Sequence, residues 1–70
     1  MIELTFYFPK DNGRYSELNR KYSSIDKAAA TIWAIVKSEP RVLMNVGAWS
    51  NEAIDYLTWV YDKAQKTYSK

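Results

Sequence analysis

Residues 2–8 read IELTFYF, with Ile2, Leu4, Phe6 and Phe8 alternating with Glu3, Thr5 and Tyr7. A period of two in strand-favouring residues predicts a half-buried β-strand. Pro9, Lys10, Asp11, Asn12 and Gly13 then break the pattern. Proline cannot donate to a sheet ladder and Asn-Gly tolerates positive φ, so the chain turns here, most simply as a hairpin with a medium loop. Arg14 to Tyr22 predicts the second strand, with Leu18 and Tyr22 as its inner face. Its polar character, including Arg20 and Lys21, suits a solvent-exposed sheet edge.

From Ile25 the period changes to that of a helix. At 100° per residue, Ala28, Ile32, Ile35 and Val36 cluster around Ile25, with Ala29 and Trp33 at one flank. Ser23 or Ser24 can cap the helix, and Asp26, three after Ser23, gives a weak capping box. Pro40 disfavours helical geometry at Glu39, which ends the helix near Ser38. The opposite face carries Lys27, Ala30, Thr31, Ala34 and Lys37. Arg41 to Val46, RVLMNV, reads as a short buried strand before Gly47.

Ser50 is the next N-cap. Trp49 before it and Ile54 four after it have the spacing of a hydrophobic staple, and Glu52 suits the first turn. The second helix runs from Asn51 almost to the end of the chain. Its apolar stripe is Ala53, Ile54, Leu57, Val60, Tyr61, Ala64 and Tyr68, and Lys63, Lys66 and Lys70 load its last turns with positive charge. The expected fold is α+β, in the order ββαβα: a single small domain with a three-stranded antiparallel or mixed sheet and two helices on one face. Phe6 and Ile32 are expected to meet across the sheet–helix interface.

Composition narrows the chemistry. In 70 residues there is no Cys and no His. That removes disulfides, thiolate zinc sites and the usual nucleophile–base pairs. Two isolated glycines cannot build a phosphate-binding loop. Glu52, Asp55 and Asp62 lie on the outer face of the second helix, and one helix face cannot encircle a metal ion. Asp62 and Lys66 are placed there for an i,i+4 ion pair. The chain is therefore read as non-enzymatic, with no catalytic residue, no metal and no cofactor.

The 47% apolar content, with three Trp, two Phe and six Tyr, is enough to pack a small core without staples. Ten basic residues against eight acidic leave a net charge of +2, with no polarised half or charged tail. That balance is short of the electrostatic footprint of a duplex-DNA binder. The longest apolar-leaning run, Ala28 to Val36, is far below a membrane span, so no membrane partner is expected. No positively charged region precedes Ile2, so the start does not read as a signal peptide, and the cytoplasm is the default location.

One residue is out of place. Trp59 lies about 140° from Ile54 around the helix, amid Glu52, Asp55, Lys63 and Lys66. A tryptophan on a charged face is either folded over Lys63 beside Tyr56 or is a contact residue. Trp59, Tyr56 and Lys63 are thus the candidate protein-binding residues of a small interaction module or accessory regulator. Its partner would be another protein or, weakly, a second copy. Ala30 and Ala34 offer another surface that a neighbour could approach closely. The alternative is a weakly basic nucleic-acid-binding domain built on the hairpin. Tyr7 and Tyr15 would stack on bases, and Lys10, Arg14, Arg20 and Lys21 would meet phosphates. Asp11, Glu17 and Asp26 dilute the charge of that region.

Overall fold

The computed structural model describes residues 1–69. Its elements are β1 (Ile2–Pro9), β2 (Tyr15–Tyr22), α1 (Ile25–Ser38), β3 (Leu43–Gly47) and α2 (Asn51–Tyr68). The fold is α+β in the order ββαβα, and the three strands form one antiparallel sheet in the spatial order β2-β1-β3.

β1 occupies the centre because it is the most apolar strand, and a central strand is covered on both edges. Phe6 pairs with Leu18 on one side and Met44 on the other, and Leu4 pairs with Arg20 and Val46. Leu4 and Phe6 are fully buried. The polar β2 lies at an edge, where only Leu18 and Tyr22 reach half-burial. The loop between β1 and β2 closes as its residues dictate. Lys10 and Arg14 bond across its mouth (N to O, 2.8 Å), the Asn12 side chain accepts from the Arg14 N–H at 3.1 Å, and Gly13 supplies the left-handed φ of 78°.

Both flanking strands run opposite to β1, and each leads into a helix through a link of two or three residues. The N-termini of α1 and α2 therefore lie together, at the end of the sheet where β1 begins. The helices cover the face formed by Ile2, Leu4 and Phe6. Ala28, Ala29, Ile32 and Val36 of α1 and Leu57, Val60 and Ala64 of α2 complete the core with Val42. Alanines on both buried faces let the helices approach closely. Trp33 is half-buried and meets Tyr68 edge-on, with ring centroids 6.0 Å apart.

Three local expectations are corrected. The N-cap of α1 is Ser24, whose side chain accepts from the Lys27 N–H at 3.4 Å, so Ser23 and Asp26 form no capping box. The third strand is Leu43–Gly47 rather than Arg41–Val46, and it alternates between half-buried and exposed residues. Arg41 and Val42 belong to a turn instead. The Val42 N–H bonds to the Glu39 carbonyl at 3.0 Å, and the Val42 carbonyl accepts from the Tyr61 hydroxyl and from Gln65 Nε2. Those bonds tie Val42 into the turn, and the Arg41 N–H is held there by the Glu39 carboxylate at 3.2 Å. Lastly, Trp49 is 86% exposed, too far into solvent for a hydrophobic staple.

Candidate protein-interaction surface

Ser50 caps α2 by accepting from the Ala53 N–H at 3.4 Å, and burial of the apolar stripe sets the rotation of the helix. Leu57, Val60 and Ala64 turn inward, while Glu52, Asp55, Tyr56, Trp59, Asp62, Lys63 and Lys66 stay in solvent. Tyr56 is 44% and Trp59 56% exposed. Their rings stack at 6.1 Å between centroids and 27° between planes. The Lys63 ammonium sits 5.3 Å from the Trp59 ring centroid, within cation–π range. Both accommodations expected for a tryptophan on this face are thus present together, yet they leave Trp59 more than half exposed. The expected Asp62–Lys66 ion pair is not formed: among the described residues the single ion pair is Arg41–Glu39, at 3.3 Å.

The aromatic surface continues past Tyr56. A groove of about 530 Å³ opens where the two helices begin, lined by Ile2, Ile25, Ala48 and Ala53 with Met1, Trp49 and Tyr56 at the surface. Among the described residues Glu52 is its one charged side chain. Trp49 and Tyr56 line the groove, and Tyr56 stacks on Trp59, so the three form one band that runs from the link before α2 along the helix to a second, smaller depression beside Asp62, Lys63 and Lys66. Sequence reasoning missed Trp49. The available signal was its place just outside the N-cap, where an indole is either stapled down or left free. Ala30 and Ala34 are both exposed on the outer face of α1.

The hairpin residues are distributed differently. Tyr7, Tyr15 and Lys21 share the sheet face that no helix covers, with Tyr7 and Tyr15 as diagonal neighbours. Arg20 projects from the opposite face, in register with Leu4, and its guanidinium donates to the Asn19 carbonyl at 3.3 Å. Lys10 and Arg14 lie at the loop. On the open face Glu17 is opposite Tyr7 and Glu3 is opposite Lys21. Asn19 donates to Glu3 and to Thr5, both at 2.9 Å. Acid alternates with base and aromatic there, so no continuous basic stripe forms.

Among the described residues two ionisable groups are shifted, both away from the aromatic band. Burial raises the Tyr61 phenol, with a smaller contribution from Asp62. The Glu39 carboxyl is lowered by the Arg41 side chain, then by the Arg41 N–H. Glu39 lies in the turn that joins α1 to β3, and Tyr61 reaches that turn from α2. Among the described residues no group of acidic side chains is placed to hold a metal ion, and no helix is long and apolar enough to cross a membrane. No family model matches the chain, and no curated protein or solved structure matches it.

Proposed function

We propose that this chain is a small non-enzymatic protein-interaction module, an accessory regulator acting in the cytoplasm, which binds through the aromatic band of α2. One observation carries the reading: Trp49, Tyr56 and Trp59, three side chains that a 70-residue domain would use in its core, lie in solvent along one surface. Trp and Tyr are the residues most enriched at binding hot spots, because a rigid ring buries much area at little entropic cost. Lys63 and Glu52 supply the polar rim of such a contact. The reading as a non-enzyme rests on the missing Cys and His and on the lack of a phosphate-binding loop.

The test is affinity capture from a nuclease-treated lysate of the source cells, with the parent chain and the Trp59→Ala and Trp49→Ala variants as baits. Proteins retained by the parent and lost with either variant support the band as the contact. Retention unaffected by both variants rejects it.

A further inference from the structure

We infer that the outer stripe of α2 pairs antiparallel with the same stripe of a second copy of this chain, a partner for the aromatic band that rests on the interaction reading above. The spacing is the first support. Glu52, Tyr56, Trp59, Lys63 and Lys66 recur at intervals of four, three, four and three. That is the seam spacing of two helices packed side by side. It occurs on the side of α2 turned away from the core, where a globular domain has no use for it, and all five residues are exposed.

Charge order is the second support, and it selects the occupant. The stripe reads acid, aromatic, aromatic, base, base from its N-terminal end. Such an order is self-complementary when one copy is reversed against another. A twofold axis passing between Tyr56 and Trp59 stacks Tyr56 of each copy on Trp59 of the other. The same operation sets Glu52 against Lys63 of the other copy, twice over. It also brings Lys66 to the end of the other helix where Trp49 is exposed. A parallel arrangement would instead set Glu52 against Glu52 and Lys63 against Lys63. None of these charged groups is held by an ion pair within the described part of its own chain. Lys63 has only to swing off the Trp59 ring, a weak contact at an exposed site.

The area is modest. With Tyr56 and Trp59 about half exposed, the aromatic surface amounts to roughly a few hundred Å² per copy, below the roughly 800 Å² per partner of a standard stable interface. One flank opposes the contact, because Asp55 and Asp62 share a side of the stripe and approach each other's counterparts across the axis. The chain is therefore a monomer at micromolar concentration and a dimer as concentration rises toward millimolar.

Sedimentation equilibrium over that range, with far-UV circular dichroism to establish folding, tests the arrangement. Glu52→Lys and Lys63→Glu are each expected to weaken self-association by about tenfold or more, since each creates two like-charge contacts. The double variant is expected to restore it, and so is an equimolar mixture of the two single variants, which forms a heterodimer. Asp62→Asn is expected to tighten the dimer. A parent chain that stays monomeric at millimolar concentration overturns the inference. So does weakening by the single changes without recovery in the double variant and the mixture. Neither result touches the broader reading, which stands or falls on whether Trp59→Ala and Trp49→Ala lose captured proteins.

Discussion

The Tyr61 hydroxyl donates to the Val42 carbonyl, joining α2 to the turn before β3 across 19 residues of sequence. Gln65 adds bonds from the next turn of the helix to the Pro40 carbonyl at 3.0 Å and to the Val42 carbonyl at 3.3 Å. Val42 is fully buried, so its carbonyl needs a partner on the protein. Removing the hydroxyl as Tyr61→Phe is expected to cost about 1 kcal/mol in urea unfolding, since Gln65 still serves the carbonyl. Removing Gln65 as well should cost more than the two single losses combined, because the carbonyl is then orphaned.

The same tyrosine makes stability depend on alkaline pH. Its pKa in the folded chain is raised, chiefly by burial and then by Asp62. The unfolded chain ionises Tyr61 in the ordinary range near 10 while the fold still holds the proton. The stability it contributes is complete below that range and is lost as pH rises toward the folded value. Urea midpoints measured on either side of the tyrosine range should fall less steeply with pH in Tyr61→Phe than in the parent.

Phe6 is the keystone of the sheet–helix interface. It is fully buried in the central strand, with Leu18 and Met44 beside it. Phe6→Ala is expected to destabilise by ~3–5 kcal/mol, enough to unfold much of a domain this small. Thermal melting reads it directly, and a midpoint within a few degrees of the parent would contradict the strand's orientation.

Trp59 should behave in the opposite way. Its stack on Tyr56 and its contact with Lys63 are surface interactions, so Trp59→Ala should cost about 1 kcal/mol or less. Leu57→Ala, two residues away but buried, should cost ~2–5 kcal/mol. Paired urea titrations distinguish a residue kept for contact from one kept for packing.

For the hairpin the expected result is negative. Arg20 and Lys21 project from opposite faces of β2, and Glu3 and Glu17 interrupt the open face. Fluorescence anisotropy with a labelled single-stranded oligonucleotide at low salt should show no binding. Binding that weakens steeply with salt and with Arg20→Ala and Lys21→Ala would revive a nucleic-acid role.

Much of this fold is legible along the chain because its elements announce themselves locally. The alternation of β1, the caps Ser24 and Ser50, the stop at Pro40 and the apolar stripe of α2 are properties of neighbouring residues, and backbone geometry turns them directly into elements. The anomaly of Trp59 is local too, since it follows from the helical period alone. Strand order, the start of β3 and the fate of Trp49 are different in kind. Whether Val42 enters a ladder depends on which donor claims its carbonyl, and that donor lies on α2. Whether an indole beside an N-cap is covered depends on what the other helix and the end of β1 place next to it. Here they leave a groove, with Trp49 standing over it. Sequence determined the elements because their hydrogen bonds close within a few residues. Only the tertiary structure decided the surface, because exposure is set by what distant segments fail to cover.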